Sequence, residues 1–267
     1  MQKLALAILA ALILALPVEG ATRVALVTNE PAPETDQILF LAESQLGNEA
    51  QLELLDRKNV LKVLAEQKLA LSGLVDPEQA IKAGKLLNVD LFAIVESEPE
   101  LQPGDRKKKR LLGLSALDSR SGVRLWDAPL AGGELEETAA QIAAGVKEAA
   151  AKYLARGKEA RTVGILTVRN ADLPRSLDPT IQTVGRLLER NLVRAPGLAV
   201  VERDRLRAIL QERNLPAREA PSPLLASLAL LELEIGRGPE KGFVAQGRLT
   251  DGAGKEIATF KGAAAAP

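Results

Sequence analysis

A short segment that recurs late in the chain is the feature that most constrains its fold. Residues 54–57 (LLDR) are matched 146 positions later by residues 200–203 (VVER). The match continues without a gap through apolar residues spaced i, i+3, i+4, which is the pattern of one helix face. It places Leu64 and Leu210 at equivalent core positions. A repeat at this distance predicts that the chain contains two copies of one structural unit.

Two further matches occur in the same order. Residues 24–28 (VALVT) resemble residues 163–167 (VGILT), and a turn with Asp118 and Gly122 resembles a later turn with Asp251 and Gly254. Strand–turn–helix proteins in general show such similarities between segments. The alternative explanation is therefore that the matches reflect common secondary-structure patterns and not a repeat.

Each unit can be divided into elements from its periodicity, caps and turn residues. The first unit is predicted to run β-α-β-α-α-β-β-β-α, with strands 23–29, 51–55, 90–96, 110–117 and 123–126 and helices 36–46, 57–69, 76–87 and 134–155. The second unit is predicted to have strands 162–168, 198–202, 228–235, 242–249 and 255–260 and helices 180–193 and 204–213. This order predicts an α/β fold, in the form of a mixed sheet with flanking helices. The second unit lacks the last helix.

The first twenty residues are typical of an export signal. Lys3 precedes a thirteen-residue apolar run, 4–16, which Pro17 ends, and small residues follow at positions 20 and 21. The alternative is a membrane anchor, but thirteen residues are too few to span a bilayer of roughly 30 Å. The predicted organisation is therefore a signal peptide at 1–20, one domain at 21–156 and a second, shortened copy at 161–267. No integral membrane segment is expected after the signal is cleaved.

Two residue types are absent and restrict the chemistry. The chain has no His and no Cys. Zinc, copper and haem sites lose their usual ligands, and triads built on His or Cys are excluded. We therefore expect no catalytic residues, no cofactor and no metal site. The 35 basic and 35 acidic residues cancel, and only six residues are aromatic, so no nucleic-acid partner is expected.

Several local patterns that could indicate a binding site are better explained as ordinary loops and turns. The basic run 106–110 is expected to be a solvated hairpin loop, with contact to anionic lipid, glycan or protein as the alternative. Residues 252–255 (GAGK) lack phosphate-loop spacing and predict a β-turn. Residues 236–238 (GRG) precede a strand rather than a helix, which makes a dinucleotide site improbable.

Three other residue types could be taken for a site. Arg57 and Arg203 recur at equivalent places, as do Glu66 and Glu212. Arginine and glutamate nine residues apart on one helix are about 13.5 Å apart, so ion pairs with neighbouring elements are the better expectation. Trp126 is expected on an edge-like strand, where it would pack in the core or contact a subunit.

Residues 54–57 (LLDR), 64–67 (LAEQ) and 84–90 (GKLLNVD) together resemble the curli production assembly/transport family. Asp118, Ser121 and Gly122 are similar to the Asp-x-x-Thr-Gly hairpin of that family, with Ser in place of Thr. The resemblance covers most of residues 22–155 and part of the second half. It implies an α/β domain of the cell envelope, usually non-enzymatic and often oligomeric. TolB-like N-terminal domains and penicillin-binding-protein activators share the pattern.

The chain also departs from that family. Its channel-forming members are lipoproteins and carry long membrane hairpins, whereas this chain has no Cys to lipidate and its candidate insertion, 97–109, lacks apolar/polar alternation. A tandem of two domains also differs from a single-domain channel subunit.

The function expected from these features is that of an exported, periplasmic, non-catalytic scaffold or accessory subunit of an envelope assembly. The alternative is a regulatory module that activates another envelope protein, and an enzyme is the third candidate. The partner would be an envelope protein or a second copy, with peripheral membrane contact left open. Because the second copy lacks the helix 134–155, that helix is expected to pack partly against it. Apolar strand 228–235 is expected to leave an uncovered patch.

Overall fold

The computed structural model describes residues 20–29, 31–67, 69, 77–97, 112–155, 161–201, 206, 228–239 and 242–264. The predicted signal core, the basic run 106–110, nearly all of the insertion 97–109 and the linker 156–160 lie outside these residues. So do Arg203 and most of the predicted helix 204–213, including Leu210 and Glu212.

The described residues form ten strands and five α-helices. The helices are α1 (Pro33–Leu46), α2 (Arg57–Glu66), α3 (Pro77–Leu87), α4 (Leu135–Ala155) and α5 (Asp178–Arg194). A single 3₁₀ turn, Arg175–Leu177, precedes α5. The strands are β1 (Thr22–Thr28), β2 (Leu52–Leu54), β3 (Leu91–Ser97), β4 (Leu112–Asp118), β5 (Val123–Pro129), β6 (Arg161–Asn170), β7 (Leu198–Val201), β8 (Leu228–Arg237), β9 (Phe243–Asp251) and β10 (Glu256–Ala264).

All ten strands belong to one mixed sheet, in the order β10-β9-β8-β6-β7-β5-β4-β3-β1-β2. In the first half, β1 pairs in parallel with β2 and β3, and β4 and β5 follow as antiparallel neighbours. In the second half, β6 pairs in parallel with β7 and β8, and β9 and β10 follow as antiparallel neighbours. The two halves therefore have the same strand order and the same relative directions.

The halves join where β5 pairs with β7 in antiparallel orientation. Since β5 runs parallel to β1 and β7 runs parallel to β6, the whole second half runs opposite to the first. The predicted α/β class, a mixed sheet with flanking helices, is confirmed. The repeat itself stays a prediction, because residues 202–205 and 207–227 lie outside the described part of the chain.

The core has one buried cluster on each face of the first half and a third in the second half. The largest cluster lies under α1 and α4 and reaches across the junction to Val201 and Leu206. The second cluster lies under α2 and α3 and is centred on Phe92, with Leu64 only 2% exposed as expected for a core position. In the third cluster, α5 packs against β6 and β8.

Helix α4 lies unusually close to the sheet. A Cβ built on Gly145 would be 2.6 Å from Leu114 Cδ2 and 2.7 Å from Trp126 Nε1. Only a residue without a side chain fits this approach, and alanines occupy much of the rest of the buried helix face. Small residues thus allow α4 to pack tightly over β4 and β5.

The position of Trp126 differs from the sequence prediction. Its strand, β5, is not near an edge, because β7 from the second half covers it and places it in the middle of the ten strands. The predicted core packing is confirmed, because Trp126 packs against the large core cluster beneath α4. The alternation within β5 could not indicate the central position of this strand, since the covering strand comes from a distant part of the chain.

Candidate functional site

Two segments of the family-like pattern, 84–90 and 118–122, meet at one end of the first half. Gly84 in α3 lies against the β4–β5 turn, where an added Cβ would be 2.4 Å from Ser119 Cβ. The Ser119 amide donates to the Asp90 carbonyl at 3.0 Å, and the Ser119 hydroxyl donates to the Val89 carbonyl. The glycine of residues 84–90 therefore has a packing role, because it lets α3 approach the turn.

Asp90 is the centre of this cluster. Its carboxylate accepts hydrogen bonds from the Arg23 amide at 3.1 Å, the Tyr153 hydroxyl at 2.8 Å and the Arg120 guanidinium at 2.6 Å. These groups come from β1, from the last turn of α4 and from the β4–β5 turn. One partly buried carboxylate thus ties three elements to the start of β3.

The ionisation of this cluster suits a structural role. Burial alone would raise the pKa of Asp90, but the bonds from Arg23, Tyr153 and Arg120 hold it below its usual value. Burial, followed by the bond to Asp90, raises the pKa of Tyr153 to about 12. Both groups keep one protonation state through the neutral range, so neither is suited to general acid–base catalysis.

The Asp90–Tyr153 hydrogen bond predicts how the Tyr153 phenol titrates at alkaline pH. Tyr153 is the only tyrosine, so phenolate absorbance reports this residue alone. Because its folded pKa is raised, the stability from its neutral form is complete below about pH 10 and is lost as the pH rises towards its folded pKa of about 12. We expect the phenol of the folded chain to titrate near 12 and Asp90→Asn to lower that midpoint. A folded wild type that titrates at the ordinary value of about 10 would contradict the Asp90–Tyr153 bond.

Each of the two predicted turns begins with an aspartate whose carbonyl and side chain accept hydrogen bonds from amides of the turn, but the first turn is one residue longer than the second. In the first, the Asp118 carbonyl accepts from the Gly122 amide at 2.8 Å, and the Asp118 side chain accepts from the Arg120 amide at 2.8 Å. In the second, the Asp251 carbonyl accepts from the Gly254 amide at 2.9 Å, and its side chain accepts from the Ala253 amide at 2.9 Å.

Gly122 and Gly254 close these turns with φ values of 68° and 88°. These values lie in the left-handed region, where glycine is favoured. Residues 252–255 therefore form the expected β-turn. Residues 236 and 237 end β8, and the described residues that follow them form no α-helix before β9.

The predicted arginine ion pairs are confirmed for Arg57. Its guanidinium contacts Asp36 at 3.3 Å and Glu43 at 3.6 Å, both on α1. Asp56, just before it, caps α2 by accepting from the Asn59 amide at 2.8 Å. Residues 56–57 thus start one helix and attach it to another, which is a structural role.

The junction between the halves is held by more than the β5–β7 pairing. The Lys152 ammonium on α4 donates to the Val193 carbonyl near the end of α5, and Arg190 on α5 pairs with Asp127 on β5 at 3.2 Å. Lys152 also lies 5.8 Å from the centre of the Trp126 ring. Burial lowers the pKa of Lys152. The expected contact of α4 with the second half is made at Lys152, while most of the helix packs on its own half.

The charged residues on one face of the second half pair with each other. Arg248 on β9 contacts Glu232 at 2.6 Å, and Arg169 on β6 contacts Glu234. They line a shallow depression together with residues of β10. The two pairs neutralise each other, and Lys261, which also lines the depression, leaves a single positive charge there. Among the described residues, no group of three acidic side chains is placed to hold a metal ion.

Several large apolar side chains are exposed on each half. In the second half, Val184 and Leu187 on α5 are 37% and 42% exposed, and Ile257 and Phe260 on β10 are 51% and 49% exposed. Val184 and Leu187 lie three residues apart on one side of α5, and we call them the apolar surface. Strand 228–235, where the sequence predicted an uncovered patch, is instead buried at Leu228, Leu230, Leu231, Leu233 and Ile235. The prediction was wrong about the location because α5 and Leu206 pack against that strand.

These features define an α/β protein whose polar clusters serve its architecture and whose second half exposes apolar side chains. No protein-family model matches the chain, and no curated protein sequence matches it significantly. No helix in the described ranges is both long and apolar enough to cross a membrane.

Several solved structures match parts of the chain at low similarity. The LpoB C-terminal domain from Escherichia coli is 16% identical over 41% of this chain and 87% of that domain, with a TM-score of 0.28. Lipoprotein GNA1162 from Neisseria meningitidis is 14% identical over 40% of this chain and 81% of its own, with a TM-score of 0.27. A CinA superfamily protein from Klebsiella pneumoniae is 13% identical over 51% of this chain and 88% of its own, with a TM-score of 0.30. Likenesses this slight support no argument about function.

Proposed function

We propose that the mature chain is an exported, non-catalytic envelope protein that acts by binding another envelope protein. The observation that carries the proposal is the apolar surface of Val184 and Leu187 on α5 of the second half. Contiguous apolar side chains exposed beside polar ones are typical of protein-binding sites. The export signal at 1–20 supports an envelope location.

The first half indicates which ligand would fit this surface. Counting with the same spacing of 146 residues, Val184 and Leu187 correspond to Ile38 and Leu41 on α1. Ile38 is buried in the large core cluster and Leu41 packs against it, on the side of α1 that α4 contacts. By analogy with this packing, the ligand would be an amphipathic helix with small apolar residues, like α4.

Two forms of this function follow from the sequence. In one, the chain is a regulatory module that activates an envelope protein, as in TolB-like domains or penicillin-binding-protein activators. In the other, it is a scaffold or accessory subunit of an envelope assembly of the curli type. Membership of the curli-assembly-like group is part of this proposal. It rests on residues 54–57, 64–67, 84–90 and 118–122, and their joint packing roles at Asp56, Gly84, Asp90 and Asp118 are consistent with it.

The test uses the mature chain and a matched pair of variants on α5. Leu187→Glu places a charge in the apolar surface, whereas Thr180→Glu adds the same charge at an exposed position in the first turn of the same helix. We expect a binding partner retained from envelope extract by the wild type to be lost with Leu187→Glu and kept with Thr180→Glu. Equal retention by both variants, or recovery of uncleaved protein in the cytoplasm, would overturn the proposal.

A further inference from the structure

The junction inside the chain is an edge-to-edge contact between two similar halves. Strands β5 and β7 pair in antiparallel orientation, with Val123 opposite Val201 and Arg124 opposite Val200. Val123 and Val201 are fully buried, and Val200 is 2% exposed. The pairing is short, but it makes two five-stranded sheets continuous.

Strand β10 has the position in the second half that β5 has in the first. Each is the last strand of an antiparallel hairpin, and each has a register shift just after the turn, which leaves one extra residue on it. That residue is Leu125 in β5 and Ile257 in β10. Leu125 is completely buried, whereas Ile257 is 51% exposed.

Strand β2 likewise has the position of β7. Both are short strands that pair in parallel with the first strand of their half, and both follow the first helix of that half. Leu54 and Leu55 correspond to Val200 and Val201 but are only half-buried. The outer edges of the ten-stranded sheet are therefore the two strands whose counterparts pair with each other inside the chain.

We propose that a second copy of this chain binds by pairing its β2 with β10 of the first copy, in antiparallel orientation. The register of the internal junction places Glu256 opposite Leu54, and Lys255 opposite Leu55, of the neighbouring copy. The contact would cover Ile257 and the unpaired backbone groups of β10, an edge that would otherwise recruit other strands.

This contact uses different surfaces on the two copies, so each bound copy presents a free edge for the next. It therefore leads to a chain of subunits or, if the rotation closes, to a ring. The inference goes beyond the proposed function, because it uses β10 and β2 rather than the apolar surface on α5. The ligand helix and the second copy can be tested separately.

The absence of native cysteine allows a direct test by disulfide trapping. Glu256→Cys and Leu54→Cys would lie directly opposite each other in the proposed contact, with Cα atoms about 4.5–5.5 Å apart, which is within the range that disulfides span. Mixing the two single variants under mild oxidation should give a covalent dimer, and the double variant should give a ladder. Glu136→Cys, exposed in the first turn of α4, is the control for random collision.

Sedimentation of the unmodified chain gives an independent measurement. We expect concentration-dependent association that Ile257→Lys weakens at least tenfold and that Leu86→Lys, an equally exposed site on α3, leaves unchanged. Leu187→Glu should leave the disulfide ladder intact, which separates this result from the test of partner binding. Trapping no faster than in the Glu136→Cys control, or a chain that stays monomeric at all concentrations, would overturn the proposal.

Discussion

Replacing Ile142 with Asp is expected to destabilise the protein by more than about 4 kcal/mol and to unfold its first half. Ile142 lies in the middle of α4 and is fully buried in the cluster shared by α1, α4 and the sheet. The substitution removes apolar contacts and buries a carboxyl group for which the cluster offers no polar partner. The core on this face of the sheet depends on α4. Displacement of α4 therefore exposes the strands beneath the helix.

The single tryptophan gives a direct readout of this result. Trp126 lies against Gly145 of α4, so its fluorescence should shift to that of a solvated indole when α4 is displaced. Ala140→Asp is the matched control, because residue 140 is on the same helix but exposed. The control should cost about 0.5 kcal/mol through helix propensity alone. If both variants unfold at the same denaturant concentration, α4 does not pack on this sheet.

The second large effect is expected at Phe92. This side chain is fully buried on the opposite face of β3, where it contacts the cluster formed by α2, α3 and the sheet. Phe92→Ala should cost about 3–5 kcal/mol, from lost transfer free energy and from the cavity that remains. For a protein of this size the melting temperature should fall by about 10 °C.

Phe40→Ala is the control for this substitution. Phe40 is on α1 and 65% exposed, so the same change of side chain should alter stability by less than about 0.5 kcal/mol. Thermal unfolding followed by circular dichroism distinguishes the two outcomes. Similar melting temperatures for the two variants would contradict the assignment of Phe92 to the core.

Much of the local structure could be predicted from the sequence. Asp56 was placed near the start of α2, and its side chain caps that helix. The five strands and four helices of the first half were expected in the observed order. The sequence predicts turns at Asp118 with Gly122 and at Asp251 with Gly254, and in each turn the glycine amide donates to the aspartate carbonyl. These features depend on residues a few positions apart, so their signals are contained in short segments.

The Asp90 cluster could not be found in this way. Its members, Arg23, Asp90, Arg120 and Tyr153, come from four distant segments and share no spacing that marks them. Gly84 was part of the family-like pattern, but only its approach to Ser119 shows why a side chain is excluded there.

What the sequence by itself determined is the division of each half into helices and strands, because periodicity, capping and turn chemistry act over a few residues. Only the tertiary structure decided that β5 is central and β10 is an edge, that the halves run in opposite directions, and that Ile257 is exposed where Leu125 is buried. The physical reason is that strand edges join through backbone hydrogen bonds, which every residue except proline can make. The side-chain pattern of a strand therefore indicates which of its faces is buried, but not which other strand lies beside it.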